Sequence, residues 1–240
     1  MNDIRADVER FYSLLSRLTE SPLQGLRLDE YTGHSRIPAR GVYFFCDSAQ
    51  PRSLDANSLR VVRVGTHAVS DGSKTTLWTR LRTHLGTRKG GGDHRRSIFR
   101  LHVGKAMLNR DHVELPTWGV GSSPPPRVKE NPTVRAAEAD HEKKVSAYIA
   151  AMLVLWIDEP DEPCANSARA YIERNSIALL SNHLTPVDQA SADWLGRQSP
   201  EEEIRRSALW NLKHVQETYD REFLNKLETA VERTCANHRQ

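Results

Sequence analysis

The chain has 240 residues, of which 38% are hydrophobic and 27% are charged, a composition typical of a folded protein and not of a disordered one. Its longest apolar run, eleven residues at positions 147–157, is too short for a transmembrane helix. Charged residues fill the first turns where a secretion signal would need an apolar stretch, and the three cysteines form no C-x-x-C pair. We therefore expect a cytoplasmic protein without a disulfide framework.

The net charge of +3 conceals a basic segment. Between positions 60 and 112 there are twelve Lys or Arg against three Asp, and Arg outnumbers Lys by 26 to 8 in the whole chain. The planar guanidinium group suits phosphate oxygens, so this segment favours a polyanion such as a nucleic acid as partner. A solvated surface without a partner would show the same composition.

Hydrophobic periodicity and turn residues predict the elements in chain order. They are an amphipathic helix at 3–18, strands at 41–46 and 59–64 joined by a polar linker, helices at 75–85 and 95–108 separated by a glycine break at 90–92, a surface loop at 124–126, a helix at 134–151, a buried strand at 152–157, and helices at 165–182, 200–215 and 219–235. This order predicts an α/β fold in which helices flank a small three-stranded mixed or antiparallel sheet. Extra helices are expected at the N-terminus, in a central insertion and at the C-terminus.

Five residues whose side chains suit catalysis occur in a particular order along the chain. Tyr43 ends the tripeptide Gly-Val-Tyr in the first strand, and Arg63 begins the tripeptide Arg-Val-Gly at the end of the second. Arg80 and His84, four positions apart, share one face of the next helix. Glu173 lies in the helix that follows the buried strand. Over about 40–85 and 154–185, this order resembles the GIY-YIG nuclease family.

The resemblance implies a GIY-YIG-like fold and a DNA phosphodiesterase that uses Mg²⁺ or Mn²⁺. Glu173 would be the only protein ligand of the metal, since Mg²⁺ needs few carboxylates and keeps several waters. Arg80 would neutralise the scissile phosphate, and Tyr43 would act near the attacking water. His84 would position that water, share the proton transfer or contact phosphate.

The sequence departs from the family pattern at three places. Arg63 replaces the tyrosine of the second motif and is a poor base, although it can bind phosphate. The stretch between the second strand and Arg80 is longer than usual and carries Lys74. Asn182 is a weak substitute for an asparagine that the family often has further along. The residues expected to contact DNA are Lys74, Arg82, His94, Arg95, Arg96 and Asn182.

We interpret 1–240 as one decorated nuclease domain, with a core at about 40–86 and 152–188, an insertion at 105–151 and a helical extension at 189–240. The Arg-x-x-x-His helix and the absence of zinc-finger or long linker segments resemble the compact restriction-enzyme branch of the family. This resemblance implies a role in defence against foreign DNA and a homodimer or sequential nicking. Two alternatives stay open. Arg63 favours a non-catalytic DNA-binding protein on a degenerate GIY-YIG fold, and the terminal amphipathic helices favour a helical protein-interaction module.

Overall fold

The computed structural model describes residues 4–239 and has a four-stranded antiparallel sheet in the order β1-β4-β2-β3. The strands are β1 (Leu26–Arg27), β2 (Gly41–Pro51), β3 (Leu59–Gly65) and β4 (Leu153–Asp158). The predicted α/β class with a small sheet flanked by helices is confirmed, with one strand more than expected. The additional strand, β1, has two residues at the sheet edge and is too short to produce a strand pattern in the sequence.

The strands predicted at 41–46 and 59–64 are present as β2 and β3, and they pair as an antiparallel hairpin. Its register places Tyr43 opposite Gly65 and Phe45 opposite Arg63. β2 is longer than expected because it continues through a bulge after Cys46. On its other side β2 pairs with β4, where Tyr43 lies opposite Trp156. The two strands that carry the motif residues are thus adjacent in the sheet.

Eight α-helices are present in the described residues. They are α1 (Ile4–Leu18), α2 (Leu77–Leu85), α3 (Ile98–Asp111), α4 (Pro126–Glu130), α5 (Pro132–Ala150), α6 (Ala168–Leu180), α7 (Glu202–Ser207) and α8 (Phe223–His238). Most correspond to predicted helices with ends shifted by a few residues, and position 3 of the first predicted helix lies outside the described residues. The short α4 begins within the segment that we predicted as a loop.

The helix predicted at 200–215 is wrong beyond Ser207. Ala208 adopts a left-handed conformation with φ 60°, which ends α7. The chain then runs along the open edge of β3: the Trp210 amide donates to the Val62 carbonyl at 2.7 Å, and the Asn211 side chain bonds to both backbone groups of Val64. Pairing of the otherwise exposed polar edge outweighs the local helical pattern.

Alternating side chains of β2 divide the apolar interior between the two faces of the sheet. Val42 and Phe44 face the layer that contains α1, α6 and α8, whereas Tyr43 and Phe45 face the layer that contains α2, α3 and α5. Each of these four side chains is 0% exposed. The motif tyrosine is therefore held on the same face of the sheet as α2, the helix that carries Arg80 and His84. None of the described helices has the length and apolarity needed to cross a membrane.

Candidate active site

A cleft of about 790 Å³ opens beside the end of β3. Its charged lining comes from four separate parts of the chain: Arg63 from β3, Arg80 from α2, Glu173 and Arg174 from α6, and Lys213 and His214 from the segment after α7. The structure thus brings together three of the five residues that the sequence singled out. Cations dominate the lining, as expected for a surface that receives a phosphate.

Tyr43 and His84 form a buried pair next to this cleft. The Tyr43 hydroxyl and His84 Nε2 are 2.8 Å apart, and both residues are 0% exposed. Tyr43 lies against the bare Cα of Gly65, where any side chain would collide with the tyrosine ring and hydroxyl. The glycine of the Arg-Val-Gly tripeptide is therefore required for the tyrosine to occupy this position.

His84 is neutral at physiological pH. Burial, together with the nearby charges of Arg80, Arg63 and Arg100, lowers the pKa of His84 well below its ordinary value of 6.5. Its second ring nitrogen, Nδ1, is 2.8 Å from the Ser97 hydroxyl. Ser97 is the N-cap of α3, so the beginning of that helix holds the histidine ring in place.

Arg63 takes the place of the second motif tyrosine and is only 6% exposed. Its Nη1 donates to the Trp210 carbonyl at 2.7 Å, and its guanidinium lies 4.9 Å from the centre of the Phe99 ring. Burial lowers the pKa of Arg63, while the charges of Tyr43 and Glu173 raise it. A guanidinium stays protonated in such surroundings, so Arg63 brings a fixed positive charge to the site.

Arg80 and Arg82 occupy different sides of α2. Arg80 is half-buried in the cleft, and its Nε has no hydrogen-bond partner among the described residues. Arg82 is exposed and lines a second cleft, of about 880 Å³, together with Trp78. This separation follows from two residues advancing by about 200° around a helix.

Glu173 is the one carboxylate in the lining of the 790 Å³ cleft. Its Oε1 accepts a hydrogen bond from the Thr66 amide at 3.2 Å, and its Oε2 has no hydrogen-bond partner in the described part of the chain. Burial raises the pKa of Glu173, and the charge of Arg63 opposes this. Within residues 4–239 no cluster of three or more His, Cys, Asp or Glu is arranged to hold a metal. One open carboxylate oxygen fits a cation that takes its other ligands from water and phosphate, as Mg²⁺ does.

Three of the residues expected to contact DNA are engaged inside the protein. His94 is 1% exposed, bonds to Glu142 through Nδ1 at 2.9 Å and stacks on Trp118. The guanidinium of Arg95 forms a two-point ion pair with Glu138. These contacts tie the glycine-rich loop to α5 and satisfy the polar groups that we had expected to contact DNA.

The third such residue, Asn182, organises the loop after α6. Its amide nitrogen donates to the Asp188 carbonyl at 2.8 Å, and its oxygen accepts from the Val187 and Asp188 amides. It is 8% exposed and does not line the cleft. Lys74 and Arg96, in contrast, are exposed.

Sequence reasoning missed two parts of the site. The segment after α7 was predicted as helix, yet it supplies Asn211, Lys213 and His214 to the cleft wall. Ser97 received no role, although a serine before the apolar pair Ile-Phe is a typical N-cap signal. That signal predicts the start of α3. It does not predict the contact with His84, which joins two separate helices.

Residues 2–237 match a family model described as "GIY-YIG domain". No curated protein and no solved structure shows significant similarity to the chain.

Proposed function

Because the chain belongs to the GIY-YIG family, which supports a nuclease-type function with DNA as substrate, we propose that it is an endonuclease that hydrolyses DNA phosphodiester bonds with Mg²⁺ or Mn²⁺. One observation carries the proposal. A single cleft is lined by Arg63, Arg80 and Glu173, and the Tyr43–His84 pair lies next to it. These are the groups that phosphodiester hydrolysis needs: positive charge, a metal ligand and a proton acceptor.

Arg80 supplies charge for the transition state. A phosphodiester repels a nucleophile because it is negative, and the pentavalent transition state carries further negative charge. Arg80 lines the cleft and its side chain forms no hydrogen bond or ion pair within residues 4–239, so its guanidinium can turn to a phosphate oxygen there.

Glu173 would hold the cation through its open Oε2, while its Oε1 remains bound to the Thr66 amide. A divalent cation bound there supplies positive charge to the reacting phosphate and to the leaving oxygen. The Thr66 amide fixes the carboxylate orientation, which is how residues beyond the ligand shell tune a metal site.

Tyr43 would accept the proton of the attacking water. The phenolic oxygen lies 2.8 Å from His84 Nε2, and Arg63 brings a fixed positive charge beside it. Tyr43 is 0% exposed, so a water reaches its hydroxyl only when a neighbouring side chain moves. We infer that Arg63 is the side chain that moves, when it binds the incoming phosphate.

A groove continues from the cleft and favours DNA as its occupant. Arg80 and Ile98 line both the 790 Å³ cleft and an adjoining cleft of about 340 Å³, which also contains the exposed Arg96. Lys213 and Arg174 add positive charge to the lining of the 790 Å³ cleft. A basic groove longer than one phosphate suits a polynucleotide backbone.

A restriction-type role in defence against foreign DNA remains our proposal on the analogy with compact family members. One cleft of this kind cuts one strand at a time. Cleavage of both strands then requires either a homodimer or two successive events on the same DNA.

A non-catalytic DNA-binding function is the second candidate, and two observations favour it. Arg63 stands where the family has a tyrosine, and Tyr43 is fully buried. In that case the groove would bind DNA without cleaving it, in the wild-type protein and in every Tyr43 variant.

The variant Tyr43→Phe tests the proposal because it removes only a buried hydroxyl. We expect the cleavage rate to fall by on the order of a hundredfold or more, the usual contribution of a general base. DNA affinity should not change, since Tyr43 is not exposed. Rates are measured on one labelled duplex in Mg²⁺, with affinity measured in parallel.

Tyr31→Phe is the matched control. Tyr31 belongs to the same apolar layer, is 4% exposed and bonds through its hydroxyl only to backbone groups. Its variant should lose some thermal stability and keep the cleavage rate. Equal activity of Tyr43→Phe and wild type would remove Tyr43 from the mechanism.

A further inference from the structure

One of the five tryptophans differs from the others in its surroundings. Four are buried, and each of their rings lies against another aromatic or imidazole ring; they are Trp118, Trp156, Trp194 and Trp210. Trp78 of α2 packs against the apolar layer below that helix but stays partly exposed. Within residues 4–239 its ring makes no stacking, edge-to-face or cation–π contact. Trp78 therefore exposes part of an indole that no other ring covers.

Trp78 lines the second cleft, which has a volume of about 880 Å³. Two small residues of α5, Ala147 and Ala150, also line it, three positions apart and so on one face of their helix. Small side chains there leave space in the cleft. The volume is typical of a pocket that holds a small organic molecule, so the cleft has room for a nucleobase as well as a phosphate.

The charged lining of the second cleft is mainly positive. Arg82, Arg88 and Lys143 line it, and all three are exposed. Lys143 pairs with an aspartate one turn away, whereas the side chains of Arg82 and Arg88 form no hydrogen bond or ion pair in the described part of the chain. The acidic residue in the lining, Asp29, is bonded through both carboxylate oxygens to Arg27. The cleft therefore attracts an anion.

Arg88 is held beside the cleft by a tight glycine-rich turn after α2. The Thr87 amide donates to the Gly91 carbonyl at 2.7 Å, and the Gly90 amide donates to the Thr87 carbonyl at 2.9 Å. Gly86 and Gly90 have φ values of 90° and 82°, which glycine adopts without steric cost. The turn thus fixes the backbone of Arg88 at the end of the helix that carries Trp78.

We propose that the second cleft binds an unpaired nucleotide of a DNA strand, whose base stacks on Trp78 and whose phosphate binds Arg88. Stacking on an aromatic side chain requires a free base face, which a base inside a duplex does not offer. An accessible aromatic ring beside cations is the arrangement by which proteins bind single strands without reading their sequence. The choice of DNA as the nucleic acid rests on the proposed function.

The second cleft is separated from the candidate active site by α2. Trp78 and Arg80 are two positions apart and project from sides of the helix that differ by about 200°. A strand that passes over α2, which is about 10 Å across, reaches both clefts. An unpaired nucleotide bound at Trp78 adds affinity for DNA that is open or frayed near the cleavage site. It does not contribute to the chemical step.

Intrinsic fluorescence tests the site without cleavage, because Trp78 is the one tryptophan that is not buried among residues 4–239. The probe is a single-stranded oligothymidylate, titrated into the protein in a chelator. We expect quenching of the wild-type emission. Trp78→Leu keeps an apolar side chain and should abolish the quenching and weaken affinity about tenfold, the usual effect of losing one base–aromatic stack. Absence of quenching in wild type, or unchanged affinity in Trp78→Leu, overturns the proposal.

Arg88→Ala and Lys89→Ala form a matched pair of exposed variants that do not endanger the fold. The two residues are neighbours in one turn, and only Arg88 lines the cleft. The slope of log affinity against log salt should fall by about 0.7 in Arg88→Ala, the value for one lost phosphate contact to a single strand. Lys89→Ala should keep the wild-type slope. Equal changes in both variants would show a general attraction and contradict the assignment of Arg88.

Two further probes identify the ligand. Thymidine monophosphate represents a free nucleotide, and a long linear duplex represents paired DNA. At the nucleotide concentration that saturates the protein with oligothymidylate, we expect neither to quench the Trp78 emission. Equal quenching by the mononucleotide or by the duplex would contradict the proposal. Failure of the nuclease function would leave all of these binding results unchanged, since the chelator prevents cleavage, so the two failures are distinguishable.

Discussion

Arg80→Ala should lower the rate of DNA cleavage on the order of a hundredfold or more, the usual effect of removing a preorganised charge from a transition state. Arg80 is half-buried in the cleft that contains Arg63 and Glu173. Arg82→Ala should change the rate only a few-fold, because Arg82 is exposed and lines a different cleft. The two variants remove the same charge from the same helix and differ only in the face that they alter.

The comparison requires single-turnover rates at saturating enzyme, so that weaker DNA binding does not appear as slower chemistry. DNA affinity at several salt concentrations gives the binding contribution separately, because each lost phosphate contact reduces the salt dependence. Equal losses of rate in both variants, or a loss confined to Arg82→Ala, would show that the assignment of the active face of α2 to Arg80 is wrong.

Glu173→Gln should remove cleavage and retain both the fold and DNA binding. The change is nearly isosteric, and the glutamine oxygen can still accept the Thr66 amide that now bonds to Oε1. What is lost is the negative charge that would hold the cation at Oε2. The measurement is cleavage across a series of Mg²⁺ and Mn²⁺ concentrations, with melting temperature and DNA affinity recorded for each protein.

Glu217→Gln is the control for the loss of a carboxylate charge near the same cleft. Glu217 pairs with Arg174 and His214, both of which line the cleft, and does not line it itself. Its variant should cleave within a few-fold of wild type. Wild-type rates in Glu173→Gln at every metal concentration would remove Glu173 from the metal site.

Local sequence patterns predicted the parts of the molecule that local patterns control. A β-branched and aromatic run in β2 and alternation in β3 predicted the hairpin that sets Tyr43 against Gly65. Helical periodicity separated the face of Arg80 from that of Arg82. The buried strand β4 was predicted because its run of apolar residues is continuous and ends at turn residues.

The remaining features depend on contacts between distant segments. The stretch at 208–211 has a helical pattern, but the open edge of β3 offers it backbone hydrogen bonds that no local pattern reveals. His94 and Arg95 look like surface cations in the sequence. In the fold, Glu142 forms a hydrogen bond with the His94 ring, and Glu138 forms an ion pair with Arg95 inside the protein.

The contact between Ser97 and His84 is of the same kind. A single sequence can predict that Ser97 caps a helix, since the signal is local. It cannot predict that this helix begins against α2, because the two helices are joined by a loop containing three consecutive glycines at 90–92. A polar chain from the helix cap to the motif tyrosine is therefore visible only in the folded structure.

Incubation of the wild-type protein with supercoiled plasmid, with Mg²⁺ or with a chelator, tests the central claim most directly. The account predicts nicked or linear plasmid in Mg²⁺, intact plasmid in the chelator, and restored cleavage when Mn²⁺ is added. Intact plasmid in both metals, together with retained and salt-dependent DNA binding, would contradict the account and favour the non-catalytic DNA-binding function.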